Sequence, residues 1–213
     1  QARILTRSLY AVIESRRHWW QWLDLTPNAI ADLKWWSEHV RSLPSRSLLQ
    51  RPYSFTLTSD ASRSGWGAWF ESHSDAGEVR GPLSIEQTQR SSTERELLAL
   101  LHGLEAFKDM FSGKSVLSRI DNTSAVYSWR NGGGSSSYCN AVTREIALLC
   151  FDYSIDLQAT WIPRELNTKA DSLSRQSEAD EWTLRASIFA QLNERWGPFL
   201  VDRFATSANT HLQ

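Results

Sequence analysis

"TLTSDASRSGWGAWF", Thr56 to Phe70, is the stretch whose reading decides the fold. Residues 53–60 alternate as a strand does, and they deliver a single carboxylate, Asp60. The polar Ser62–Ser64 stretch reads as a turn. Residues 65–71, with Gly65, Trp66, Gly67 and Trp69, read as the returning strand. Aspartate is disfavoured at the end of an apolar strand that lacks a visible partner. A hairpin that carries an acid at its lip therefore asks what the acid is for.

Working outward, residues 78–84 read as a third strand, with Gly77 and Pro82 at its margins. "ERELLALLHGLEAFKDM" is a long helix pattern, with Leu97, Leu100, Leu101, Leu104 and Phe107 as its buried stripe. Thr93 with Glu96 three residues later spells a capping box at its start. Residues 115–120 read as a strand that ends at Asp121, and 123–130 as a short helix. Asn131–Ser137 reads as a flexible glycine- and serine-rich loop. Residues 138–151 are a helix, 154–161 a strand and 168–175, "TKADSLSR", a final helix. Three antiparallel strands joined to further strands through helical crossovers imply an α/β fold, a mixed sheet with helices against its faces.

The flanks differ in texture. Residues 1–24 read as helical and are rich in tryptophan. Thr26-Pro27 is an N-cap with proline at the first helical position, opening a helix to about Leu43. Residues 44–52 make a connector, and 176–213 an amphipathic tail around Trp182, Leu184, Ile188, Leu192 and Trp196. The tryptophans read as core or interface anchors, with Trp19, Trp20, Trp35 and Trp36 packing the flank on its neighbour. The organisation is thus a helical flank over 1–50, a central domain over 51–176 and a helical C-terminal extension over 177–213.

The chain has 213 residues, with 24 acidic against 23 basic side chains. No strong basic field advertises nucleic acid, although a local patch suffices for binding. Two cysteines, Cys139 and Cys150, are too few for a disulfide framework and read as small buried residues in a reducing compartment. No apolar run approaches the roughly 20 residues of a membrane span, and the start lacks a signal-peptide pattern. These features point to an intracellular protein, in cytoplasm or nucleus alike, with no membrane. The opening at Gln1 in mid-pattern and the stop at Gln213 read as an excerpt of a longer polypeptide.

Asp60 and Asp121 close strands that lie side by side in such a sheet. Like charges placed together raise each other's cost of ionisation, and divalent cations supply a reason for the pairing. Glu96, early in the long helix, and Asp171, early in the last one, are the further candidates. Each has a plainer reading: Glu96 as a capping-box residue, Asp171 as a helix-dipole partner, Asp121-Asn122 as a turn. Periodicity leaves those alternatives open, and a helical wheel does not separate Glu96 from Glu94.

"LTSDASRSGWGAWF", "STERELLAL", "RIDNTSAV" and "WIPRELNTKADSLSR" resemble the motif blocks of a type I ribonuclease H domain, in the form attached to reverse transcriptases of retroelements. The blocks together with "ADLKWWSEHV" and "WGPFLVDRFA" are most similar to DIRS-like, tyrosine-recombinase retrotransposons. The resemblance implies an RNase H-like five-stranded sheet, three strands antiparallel and two parallel. It implies hydrolysis of the RNA strand of an RNA–DNA hybrid with two Mg²⁺ ions, Mn²⁺ substituting. Asp60, Glu96, Asp121 and Asp171 are then the catalytic, metal-holding quartet, and the resemblance favours Glu96 over Glu94. Ser62, Arg63, Asn122 and Arg164 become candidates for backbone and phosphate contacts. The implied partners are the hybrid and the polymerase portion of the same polyprotein, against the first residues as a thumb- or connection-like flank. Two departures stand out. "IPRELNTKAD" has no histidine before the last acid, and residues 131–137 lack a basic protrusion. The absent histidine and the near-neutral charge leave room for a rival reading, a non-catalytic RNase H-like nucleic-acid-binding or connection module of a domesticated element.

Overall fold

Leu57 to Asp60 are buried one after another, the pattern of a central strand covered on both faces. They lie in β1 (Phe55–Ala61), which antiparallel pairing joins to β2 (Gly65–Glu71), and β2 in turn to β3 (Ala76–Pro82). The computed structural model describes residues 2–41, 43, 52–175 and 186–199. The chain divides into two units, Gln1–Arg175 and Gln176–Gln213.

In the first unit a 3-10 turn at Ile4–Thr6 leads into α1 (Arg7–Glu14) and α2 (Pro27–His39). After β3 come the short α3 (Ile85–Thr88) and the long α4 (Ser92–Phe111). Then follow β4 (Ser115–Ile120), α5 (Thr123–Arg130), α6 (Ser137–Asp152), β5 (Asp156–Trp161) and α7 (Thr168–Arg175). The strand order is β3-β2-β1-β4-β5, with β4 parallel to both β1 and β5. This is the mixed five-stranded, helix-flanked sheet expected, three strands antiparallel and two added in parallel. In the second unit, α8 (Ala186–Trp196) is the described helix.

Helices cover both faces of the hairpin, and glycines set how closely. A Cβ on Gly103 of α4 would lie 2.8 Å from Ala68 Cβ. On the preceding residue of β2, a Cβ at Gly67 would run into Leu173 Cβ and stand 2.7 Å from the Ser174 nitrogen of α7. Successive strand residues face opposite sides, so α4 and α7 sandwich β2 between them. The core under α4 holds Leu57, Leu97, Leu100, Leu104 and a set of phenylalanine rings, with Phe70 edge-on to Phe107 at 4.8 Å and to Phe111 at 5.7 Å.

The flank belongs to the first unit's packing. Ile4 and Leu5 are buried, and Trp36 Nε1 donates to the Leu5 carbonyl at 2.9 Å. Arg144 of α6 donates twice to Asp32 Oδ1 of α2, at 3.2 and 3.0 Å, and Asp32 is fully buried. Trp35 meets Phe151 of α6 edge-on at 5.0 Å.

Several local expectations shift. The first helix ends at Glu14 rather than running on to 24, and Trp19, Trp20 and Trp22 stand exposed beyond it. α2 stops at His39, short of Leu43. β3 begins two residues earlier than its alternation suggests, because pairing with β2 sets its register. The glycine loop is not free: Gly132 and Gly133 are buried, and Arg7 donates to the carbonyls of Gly132 at 3.3 Å and Gly134 at 2.5 Å. Gly132 sits at φ 71°, a left-handed conformation that suits glycine. Most of the connector expected at 44–52 lies outside the described residues, as do Trp182 and Leu184 of the tail.

Candidate functional site

Parallel pairing brings the two strand-end aspartates together. Thr58 of β1 is opposite Arg119 of β4, so Asp60 and Asp121, each two residues on, come side by side where the strands end. Glu96 reaches the same place from α4. It lies four residues before Leu100 and seven before Gly103, on the helix face that packs on the sheet. One carboxylate oxygen from each of Asp60, Glu96 and Asp121 lies within 4.8 Å of the others.

The capping box of α4 lies two residues ahead of the one expected. Ser91, not Thr93, is the N-cap: its Oγ accepts from the Glu94 amide at 3.3 Å, and Glu94 Oε2 accepts from the Ser91 amide at 2.9 Å. Ser136 Oγ also donates to Glu94 Oε1 at 2.7 Å, and this bond, ahead of the cap bonds, holds the Glu94 carboxyl below its usual range. Glu94 is thus occupied as a cap and Glu96 is released from that duty.

Burial and mutual repulsion dominate the electrostatics of the cluster. Burial, then the charges of Asp60 and Asp121, push Glu96 up to about 9, while the Ala61 amide donates to it and opposes the shift. Its Oε2 is buried without a hydrogen-bond partner. Asp60 is likewise raised, first by burial, with the hydrogen bond from Ser174 pulling the other way. An orphaned buried carboxylate oxygen beside two further carboxylates is the donor set that a hard divalent cation takes. The residues present therefore fit such an ion, and Asp60, Glu96 and Asp121 are the groups that would hold it.

Asp171 stands apart from this trio. It lies in the first turn of α7, near enough for its charge to raise Asp60. Its carboxylate is engaged by Arg175 at 2.8 Å and more loosely by Arg164 at 3.5 Å. Those bonds, Arg175 first, hold its pKa below the ordinary carboxylate value.

The residues expected near substrate divide in two. Ser62 Oγ is used locally, accepting from the Gly65 amide at 3.0 Å and lying 2.6 Å from the Ser174 carbonyl, to which it donates. Asn122 is the N-cap of α5: its Oδ1 accepts from the Ala125 amide at 3.0 Å, and its Nδ2 donates to Ser92 Oγ at 3.4 Å. Arg63 and Arg164 are exposed, and Arg164 lies 3.5 Å from Asp171 Oδ1.

Two contacts escaped the sequence reading. Asn167 Nδ2 donates to Asp60 Oδ1 at 3.2 Å, and Ser174 Oγ donates to Asp60 Oδ2 at 2.6 Å. The available signal was spacing. Asn167 lies four residues before Asp171 and Ser174 three after it, so all three share one side of the last helical segment.

The sequence profile of the reverse transcriptase-like family matches residues 56–177. Among solved structures, the chain is similar to LC11 ribonuclease H1, isolated from compost by a metagenomic approach. Identity is 20% over 57% of this chain and 93% of that one, with a TM-score of 0.48. It is also similar to ribonuclease H1 of the halophilic archaeon Halobacterium salinarum NRC-1, at 23% identity over 59% and 98% of the two chains and a TM-score of 0.47. A foamy viral protease–reverse transcriptase, solved in complex with an RNA/DNA hybrid, matches at 14% identity over 83% of this chain but 28% of its own, with a TM-score of 0.43. No curated protein matches the chain.

Proposed function

The chain belongs to the reverse transcriptase-like family, and on that premise we propose that it is a divalent-metal-dependent ribonuclease H that cleaves the RNA strand of RNA–DNA hybrids. The observation that carries the reading is the trio of carboxylates within 4.8 Å of one another, with a buried Glu96 oxygen that no protein group satisfies. A scaffold protein has no use for that arrangement, because each acid raises the cost of ionising the next.

Asp60, Glu96, Asp121 and Asp171 would hold two Mg²⁺ ions, or Mn²⁺ in their place, with Asp60 and Asp121 the most central. Glu96 and Asp171 would complete the donor set. Bound there, the ions supply a water made acidic enough to attack a phosphodiester and a counter-charge for the leaving 3′ oxygen. The chain's own part is to hold the acids converged. Asp171 Oδ2 accepts from Arg175 and keeps a second lone pair, so ligation through that oxygen does not require the ion pair to break. Arg63 and Arg164 face the sugar-phosphate backbone as exposed cations. Ser62 and Asn122, fixed in their turns, offer contacts beside Asp60 and Asp121. Hybrid recognition rests on duplex shape and 2′-hydroxyls rather than on base sequence.

The motif wording supports membership of the DIRS-like retrotransposons. In that setting, residues 1–50 are a thumb- or connection-like flank against the polymerase, 51–176 the nuclease and 177–213 an extension. No described helix is long and apolar enough to cross a membrane.

The test is incubation of the purified chain with a labelled RNA–DNA hybrid and Mg²⁺ or Mn²⁺, beside an Asp121→Asn variant. Cleavage of the RNA strand by the parent alone is the expected result. Hybrid binding without cleavage, in parent and variant alike, makes the chain a non-catalytic nucleic-acid module instead.

A further inference from the structure

Asp60 is gripped at both oxygens, and the two grips differ in how firmly they are anchored. Asn167 donates from a loop position at 3.2 Å. Ser174 donates at 2.6 Å from a residue only 2% exposed. The backbone of Ser174 is pinned by the hairpin that carries Asp60. Its carbonyl accepts from Ser62 Oγ at 2.6 Å, and a Cβ on Gly65 would stand 2.8 Å from that same oxygen. Its amide nitrogen lies against Gly67, the residue paired with Asp60 across the β1–β2 ladder. Bare glycines at these two positions let α7 approach the hairpin closely enough for a side chain as short as serine to reach the acid.

The hydroxyl has one proton and two acceptors in range, Asp60 Oδ2 and the Asp171 carbonyl at 2.9 Å. An ionised carboxylate is the stronger acceptor and here the nearer one. Ser174 also lies one helical turn beyond Asp171, so α7 delivers both residues to the cluster as a rigid pair.

We propose that Ser174 is a positioning residue, whose hydroxyl fixes the Asp60 carboxylate so that one oxygen stays within bonding range of the ion held with Glu96 and Asp121. This rests on the reading of that trio as a divalent-cation site. A carboxylate ligand with one oxygen tied to a buried donor presents the other in a fixed direction, and removing such outer support costs metal affinity rather than chemistry.

The experiment titrates Mn²⁺ into the full chain by calorimetry, with melting curves and hybrid-cleavage kinetics alongside, for the parent, Ser174→Ala and Ser174→Thr. Ser174→Ala should bind Mn²⁺ about 10–100-fold more weakly. Its KM for the hybrid should not change, and its cleavage rate should recover as Mn²⁺ is raised. Ser174→Thr, which keeps the hydroxyl, should restore most of the affinity. If Ser174→Ala does not fold, the comparison is read on Ser174→Cys, similar in size and a weak donor. An affinity within about twofold of the parent overturns the positioning role. A parent that neither binds Mn²⁺ nor cleaves hybrid overturns the cation site itself, and the role of Ser174 with it.

Discussion

Arg175 grips Asp171 with two parallel hydrogen bonds, Nε to Oδ2 and Nη2 to Oδ1, each 2.8 Å. Asp171 thereby carries its own counter-charge, whereas Glu96 has none within the trio. The acids at this end of the sheet are therefore unequal. Asp171→Asn should lower hybrid cleavage about 10–100-fold, as loss of a supporting group does, while Asp121→Asn should abolish it. Single-turnover cleavage at saturating Mg²⁺ makes the comparison, and equal losses would mean that Asp171 is as central as Asp121.

Glu96 makes metal-free stability depend on pH in an unusual direction. Burial and the neighbouring acids raise it from the ordinary 4.5 to about 9, so between those values the folded state binds more protons than the unfolded one. Stability then falls as pH rises through that window. In chelator, the melting temperature should be higher near pH 5.5 than near pH 8.5, at least in this contribution. Glu96→Gln should flatten the trend and raise the melting point at the alkaline end, while Mg²⁺ should stabilise the parent more at the alkaline end than at the acid end. A parent and variant with parallel pH profiles would contradict the assignment.

Glu94 supplies the opposite case. Its pKa is depressed by Ser136 and the cap, so its contribution is present above the ordinary carboxylate range and disappears as pH falls through the lowered value. Glu94→Gln should cost about 1 kcal/mol or less near neutral pH, and Ser91→Ala about 1 kcal/mol, as lost caps do. Neither should change Mn²⁺ affinity. Chemical denaturation with parallel metal titration checks this, and a large loss of affinity in Glu94→Gln would return the ligand role to that residue.

The N-terminal flank should prove necessary for stability. A chain beginning at Pro52 loses the buried Ile4 and Leu5, each worth about 1.5–3 kcal/mol on burial. It also leaves Arg144 without Asp32. Its urea midpoint should fall well below the parent's. An unchanged midpoint would mean that the contacts along α6 contribute nothing net.

Much of the chain was readable because its signals are local. The β1–β2 turn, the strand ending at Ile120, the helix over 123–130 and the last helix over 168–175 all follow from alternation, helical spacing and caps within a few residues. The cap of α4 was misplaced for an instructive reason. Ser91–Glu94 and Thr93–Glu96 are overlapping spellings of the same box. Ser136, forty-two residues away, favours the first by bonding Glu94. The glycine loop read as flexible because composition cannot see Ile4 and Arg7 arriving from the far end of the chain.

By itself, the amino-acid order determined which segments become strands and helices and which four acids end or open them, since backbone pairing and side-chain period act over short stretches. Only the tertiary structure decided which acids converge. Parallel register set Asp60 beside Asp121, the close seat of α4 swung Glu96 in, Ser136 held Glu94 at the cap, and α7 brought Ser174 to Asp60. Those outcomes depend on distances between segments far apart in the chain, and no local pattern encodes a distance.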